Sequence, residues 1–538
     1  MLLYTAVLVV VLSFAARAAS EKKVVCYHGT WATYRPGLGK FDVTDIDPHL
    51  CTHVIYSFVG INGLGQVISL DPWVDLPSGR DAFRKFNALK KINPNLKTIL
   101  AVGGWNEGSA KYSTMAADAK LRANFVKSAL SMVLTYGFDG FDLDWEYPAR
   151  RDTTHGAADV DNFTTLIKEL RVQFDKYGLL LSAAVSPTRA TASLSYDIPS
   201  ISKYLDFINV MTYDMYGPWD AVVGHNSPLH RGEGQENKAK EDINSADVSL
   251  DYWLSQGCPP EKLLMGVPFY GHTFKLADTS QSSVGAPSAG AGFAGPFTQQ
   301  AGTIGYNEFC YTLQTQSWDV RYDAKAKVPY AVNGNNWVSY DDVNSMAKKV
   351  EYAISRGIGG VMLWSIETDD FHGICGEKFP LLSTINRVMA KINHTTTVVT
   401  KPTVAPSTAK PTVAPTAKPT VAPSTAKPTV APSTAKPTVA PSTAKPTVTP
   451  STAKPTVASS TSTTSKPSSS TVSLTASISG ICSKLGPIQN PADCSTFYMC
   501  AYDRLGGISP ILMKCPKYTY WDQKNLYCNY LHETDCKV

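Results

Sequence analysis

Between residues 24 and 392 the chain alternates two textures. Short, almost continuously apolar runs rich in β-branched residues occupy 24–28, 53–61, 98–104, 138–146, 179–186, 207–215, 263–270 and 360–367. Between them, helical spacing of apolar positions covers 81–92, 119–136, 160–176, 243–256 and 343–356. A strand with one wet face alternates in polarity, whereas a strand covered on both faces reads as continuously apolar. Strand-then-helix order repeated over about 370 residues therefore predicts an α/β fold, a (β/α)8 barrel. A doubly wound open sheet is the competing arrangement. Eight runs and the lack of a Gly-rich phosphate loop favour the barrel, and the lone Gly103-Gly104 pair is too short for a nucleotide site. Residues 271–340 break the rhythm. Gly, Pro, Ser and aromatics dominate there, no clean helix is visible, and strand-like pieces such as 318–322 predict a small α+β insertion after the seventh strand, able to wall a cleft.

The pattern changes at both ends. Residues 1–18 read as a signal peptide, with an apolar run from 2 to 14 before the small-x-small sequence Ala16-Arg17-Ala18. That run is too short to span a bilayer, so a secreted, extracellular protein without a membrane partner is expected. The barrel is assigned to 22–392. Residues 396–478 repeat Lys-Pro-Thr-Val-Ala-Pro-Ser-Thr-Ala and have no apolar surface to bury, which predicts an extended, O-glycosylated spacer. Eight lysines and no acid lie between 401 and 466, more than the whole formal charge of +5. Basicity thus belongs to the spacer, and no nucleic-acid surface is expected. The last segment, 479–538, is too small for a self-sufficient core and holds six cysteines, Cys482, Cys494, Cys500, Cys515, Cys528 and Cys536. A disulfide-stapled β module carrying aromatics from Phe497 to Tyr530 fits a carbohydrate binder. The other five cysteines, Cys26, Cys51, Cys258, Cys310 and Cys375, leave one odd thiol. Asn162 and Asn393 head glycosylation sequons.

The chemistry concentrates in Phe138-Asp139-Gly140-Phe141-Asp142-Leu143-Asp144-Trp145-Glu146-Tyr147-Pro148. In a strand, Asp142, Asp144 and Glu146 share one face while Phe141, Leu143 and Trp145 take the other. A solvated acidic strand or a calcium site would carry the same acids, but the apolar opposite face argues for burial. Desolvation and mutual repulsion then push at least one carboxyl upward, as a general acid near neutral pH requires. Asp142 and Asp144 can hold one proton between them. Catalytic groups of a barrel gather at the C-terminal strand ends. Those ends offer Tyr27 with Trp31, Tyr56 and Phe58, Trp105-Asn106, Tyr147, Met211-Thr212-Tyr213-Asp214, Tyr270-Gly271-His272 and Trp364-Ser365-Ile366-Glu367. Recurrent aromatics and acids at independent strand ends read as a sugar cleft.

Asp139-x-x-Asp142-x-Asp144-x-Glu146 resembles the DxxDxDxE signature of glycoside hydrolase family 18, the chitinases. Leu100-Ala101-Val102-Gly103-Gly104-Trp105 resembles a second motif of that family, with Ala101 where many members have Ser, and Met211-Thr212-Tyr213-Asp214 and Trp364 also follow its pattern. The resemblance implies a retaining enzyme in which Glu146 protonates the glycosidic oxygen and the substrate's own acetamide attacks the anomeric carbon. Asp144 would hold the acetamide N–H, Asp142 would share its proton, and Tyr213 would donate to the acetamide oxygen. Trp364 would floor the reacting subsite. Trp31, Trp105 and Trp219 would line its neighbours, Asp214 and Asn106 would bind polar groups, and Tyr27, Phe58, Tyr147, Met211, Tyr270 and His272 would complete the cleft. His272 stands where many relatives carry Arg, which implies a pH profile displaced toward acid. Cys494 to Cys500 resembles part of the peritrophin-type chitin-binding domain. A monomeric endo-acting chitinase that binds chitin and chitooligosaccharides, with no cofactor or metal, is the expectation. A chitin lectin, a matrix protein with a vestigial barrel, and an endo-β-N-acetylglucosaminidase are the alternatives.

Overall fold

Eight parallel strands close on themselves in a computed structural model that describes residues 22–399 and, near the C-terminus, 486–502, 508–515, 520–523 and 527–529. The strands are β1 (Lys23–Gly29), β2 (His53–Ile61), β3 (Lys97–Gly103), β4 (Gly140–Asp144), β5 (Leu180–Val185), β6 (Phe207–Val210), β7 (Leu263–Pro268) and β8 (Gly360–Trp364). β1 pairs in parallel with both β2 and β8, which closes the (β/α)8 barrel. Alternation along each strand serves two cores. Phe141, Leu143 and Trp145 pack outward against the helices. Val25, Tyr27, Ile55, Ile99, Ala101, Ala184 and Met362 fill the barrel interior.

Helix Ala119–Tyr136 begins and ends where its sequence changes chemistry. Asp118 accepts hydrogen bonds from the backbone N–H groups of Lys120 and Leu121, and Gly137 turns left-handed at φ 79° to end the helix. Apolar runs overshoot four strands by two residues or more, since β4 stops at Asp144, β6 at Val210, β7 at Pro268 and β8 at Trp364. Beyond β6 the run stays apolar for a different reason: Met211, Tyr213 and Met215 lie buried outside the sheet ladder. Non-proline cis peptides occur at Ser57–Phe58, Glu146–Tyr147 and Trp364–Ser365.

The insertion after β7 is α+β. Its antiparallel sheet contains Tyr270–Leu276, Ser288–Ala291, Asp319–Asp323, Val328–Asn333 and Asn336–Ser339, with Thr303–Gly305 paired to the first of these. One feature corrects the sequence reading: residues 271–340 do contain a clean helix, Tyr306–Thr315. Its Tyr, Asn, Cys and Thr residues are poor helix formers. Tertiary contacts override them. Fully buried Glu308 accepts from the N–H groups of Gly305 (2.7 Å), Phe297 (2.5 Å) and Thr298 (2.7 Å), and Cys310 is bonded to Cys375. Cys26 pairs with Cys51, and Cys258 is the odd, buried thiol.

Helix Pro380–Val399 continues past 392, where the barrel was expected to end. The predicted signal segment, and the spacer from residue 400 onward, lie outside the described residues, as does the Asn393 side chain. Among the described residues no helix is long and apolar enough to cross a membrane.

The chain divides into two units, 1–402 and 403–538. In the second, Gly486–Gln489, Thr496–Tyr502 and Ile508–Lys514 form an antiparallel sheet, and Tyr520–Asp522 pairs with Tyr527–Asn529. Cys494, Cys500 and Cys515 are disulfide-bonded. Trp521 is buried and stacks on Phe497 with centroids 4.0 Å apart, so this aromatic pair builds the module's own core.

Candidate active site

A cleft of about 410 Å³ opens at the C-terminal end of the barrel. Of the sequence-predicted residues it brings together Glu146, Asp144, Tyr213, Tyr27, Trp31, Phe58, Trp105, Asn106, Met211, Asp214, Tyr270 and Trp364. Four others stand off its wall. Asp142 is fully buried one layer deeper. Tyr147 packs half-buried against the hydrophobic core. Trp219 is 64% exposed beside His272, with ring centroids 5.2 Å apart. His272 is buried behind Asp214. Its Nδ1 bonds the Gly302 carbonyl at 2.9 Å and its Nε2 bonds Asp214 Oδ1 at 2.8 Å. A carbonyl only accepts, so Nδ1 carries a proton. The second bond then needs another proton, on Nε2 or on Asp214.

Two residues outside the predicted site also turn away from the cleft. Tyr56 points into the outer core and donates to Asp75 at 2.5 Å. Glu367 is buried between Arg35 and His28. Asp139, the first acid of the motif, takes Lys90 at 2.9 Å and the Thr98 N–H at 2.8 Å, an anchoring role at the start of β4.

The three remaining acids climb from the interior to the cleft. Asp142 Oδ2 accepts from Tyr27 Oη at 2.7 Å, and its Oδ1 accepts from Ser182 Oγ at 2.5 Å and Asn209 Nδ2 at 3.4 Å. Burial raises its carboxyl to about 6 against these hydrogen bonds, which favour the charged form. Asp144 sits above. Burial, then the charges of Glu146 and Asp142, push it well above the ordinary carboxyl range. Among the described residues its Oδ1 is buried without a hydrogen-bond partner. Glu146, beyond the strand end, is raised to about 7, by desolvation first and by Asp214 second, while Tyr147 and Arg151 oppose the shift.

Two glycines permit this geometry. Gly103 (φ 114°) lies against the Asp144 carbonyl and Gly104 (φ 84°) against the Phe58 ring, so a Cβ at either would collide. The Gly104 N–H donates to the Asp144 carbonyl at 2.8 Å and ties the loop after β3 to the acidic strand.

Phe58 and Trp364 stack at 5.7 Å and 20°, and Trp31 lies 6.0 Å from Trp364, giving an aromatic floor. Among the described residues Tyr213 Oη meets only the Met362 sulfur at 3.7 Å, a weak acceptor that leaves its donor available. Sequence reasoning missed Thr30, Leu70, Asp71, Glu107 and Ala184 in the wall. Asp71 and Glu107 belong to loops after the hairpin strand Val67–Ser69 and after β3, and no spacing in the sequence marks them.

Residues 23–369 match the model of the Glycosyl hydrolases family 18, and residues 482–536 match the Chitin binding Peritrophin-A domain. The chain is 44% identical over 409 residues to "Probable chitinase 2" of Drosophila melanogaster, covering 70% of this chain and 82% of that relative. It is 41% identical over 378 residues to "Chitotriosidase-1" of Mus musculus, covering 68% and 78%. The crystal structure of Ostrinia furnacalis Group IV chitinase in complex with allosamidin superposes with a TM-score of 0.68 at 59% identity, over 69% of this chain and 99% of that one.

Proposed function

This chain belongs to the glycosyl hydrolases family 18 and carries a chitin binding Peritrophin-A domain, and from that premise we propose that it is a secreted, endo-acting chitinase that cuts β-1,4 linkages between N-acetylglucosamine units with retention. The observation that carries this reading is that Asp144, whose buried Oδ1 has no hydrogen-bond partner among the described residues, and Tyr213, whose hydroxyl has no oxygen acceptor among them, line one cleft. Together they offer an acceptor for an amide N–H and a donor for an amide oxygen, the complement of an acetamido group.

Glu146, protonated into the neutral range, donates its proton to the glycosidic oxygen. The acetamide oxygen, held by Tyr213, attacks the anomeric carbon from within the substrate, and the leaving chain departs. Asp144 accepts the acetamide N–H and offsets the charge of the oxazolinium that forms. Asp142 takes up the proton the pair must keep, since two adjacent buried carboxylates do not both ionise. Glu146, now ionised, removes a proton from water as it opens the intermediate. Trp31 and Trp105, each about half exposed in the wall, suit stacking on sugars beyond the one that reacts. Disulfides in both units favour an oxidising, extracellular compartment.

Incubating the full chain with chitin hexamer and with a high-mannose glycan, then weighing the products, tests the assignment. Shorter oligomers from the hexamer are expected. Cleavage of the glycan alone would transfer the reading to an endo-β-N-acetylglucosaminidase, and binding without cleavage at every pH would leave a lectin. Tyr213→Phe should cut kcat by roughly a hundred- to a thousandfold, as loss of one donor to the developing charge does, and should leave the alkaline limb of the pH profile in place. Deleting residues 396–538 should lower the rate on insoluble chitin by about tenfold or more while sparing soluble oligomers, because tethering raises the local concentration of enzyme on the polymer. Equal losses on both substrates would remove the anchoring role from the tail.

A further inference from the structure

The loop that leaves β4 carries two groups of consequence, Glu146 and, five residues on, Arg151. Arg151 reaches across to the loop after β3. Its guanidinium lies 3.7 Å from the Trp105 ring centroid, and its Nη1 donates to the Trp105 carbonyl at 2.6 Å. Asp152 holds its Nε at 3.5 Å. Trp105 needs such a hold. It is 57% exposed on a three-residue turn, Trp105–Glu107, whose flanking residues Gly104 and Gly108 both have positive φ. Nothing in a glycine-flanked turn fixes an exposed indole. A guanidinium over one face of the ring, bonded to the same residue's carbonyl, fixes ring and backbone together and leaves the other face for a sugar.

We propose that Arg151 is a positioning residue that locks Trp105 as a stacking platform and places a positive charge toward Glu146, coupling substrate binding to the proton donor through one loop. The inference rests on the reading of this cleft as a chitin site. Preorganising an exposed side chain improves affinity by removing the cost of ordering it on binding. The charge acts separately. Glu146 is faced by Asp144 from its own strand, by Tyr147 beside it, by Tyr213 and Asp214 after β6, by Tyr270 after β7 and by Tyr196 after β5. Tyr147 by its hydrogen bond and Arg151 by its charge hold the Glu146 carboxyl down against burial and Asp214, and Arg151 is the cation of the two.

In the full-length protein, Arg151→Ala should raise KM for chitin hexamer about three- to tenfold with kcat changed less than about twofold. Its alkaline limb should move upward by roughly 0.3 unit or more, because a Glu146 freed from a nearby cation keeps its proton to higher pH. Arg151→Lys separates the two effects. It retains the charge without the planar stack, so the pH limb should return to the wild-type position while KM stays high. A KM and pH profile both unchanged in Arg151→Ala, or a fall in kcat with no movement of the limb, would overturn the proposal. Wild-type protein inert on the hexamer would instead sink the chitinase reading, and an unchanged melting temperature in both variants confirms that the fold is being compared like for like.

Discussion

Glu146→Gln is expected to lower kcat on chitin hexamer by about a thousandfold or more while leaving oligosaccharide affinity within a few-fold. Glutamine matches the shape of the carboxyl and has no proton to transfer, so the loss falls on the step that needs an acid and not on the stacking that binds sugar. Initial rates beside calorimetric titration of the same oligomer decide it, and turnover within tenfold of wild type would take the acid role from Glu146. The variant has a second signature. Wild-type Glu146 is raised from its ordinary 4.5 to about 7 by desolvation. Between those values the native state binds more protons than the unfolded chain, so this group contributes a loss of stability as pH rises through the window, and none below it. Glutamine escapes that loss. Glu146→Gln should therefore melt above wild type at pH 8 and level with it at pH 4, and a gain of equal size at both pH values would mean the group is not desolvated by the cleft.

Asp144→Asn should cost roughly a hundred- to a thousandfold in kcat, because an amide neither offsets the positive charge of the oxazolinium nor accepts the acetamide N–H with the strength of a carboxylate. Its pH dependence distinguishes this from a packing defect. Asp144 is pushed upward in part by the neighbouring Glu146 and Asp142 charges. Glu146 is raised by desolvation and by Asp214, so a neutral residue at 144 should leave the alkaline limb in place. A large rate loss with the limb displaced would indicate a distorted site instead.

Asp142 explains why the acidic strand tolerates three carboxyls. It is the only one of them wholly inside, yet Tyr27, Ser182 and Asn209 reach it from three other strands. Each donor is unremarkable in its own run. Their convergence exists only once the barrel closes and sets Tyr27 of β1, which pairs with β2 and β8, against the adjacent strands β4, β5 and β6. Arg151 and Trp105 make the same point across two loops, and neither residue's spacing announces the other.

The apolar runs determined the eight strands and hence the barrel, because strands covered on both faces have no freedom to be polar, and the two-residue period of 142, 144 and 146 determined which acids share a face. Asp118 and Gly137 likewise set the bounds of helix 119–136 through local hydrogen bonds and a left-handed turn. Contacts distant in sequence decided the rest. Buried Glu308 and the Cys310–Cys375 bond made a helix of 306–315 against its propensities, the loops decided that Asp71 and Glu107 join the cleft, and the sheet of the insertion decided that His272, in strand Tyr270–Leu276, stands behind Asp214. Periodicity and capping act over a few residues and are written in the chain, whereas the direction a loop side chain faces is settled by what folds against it.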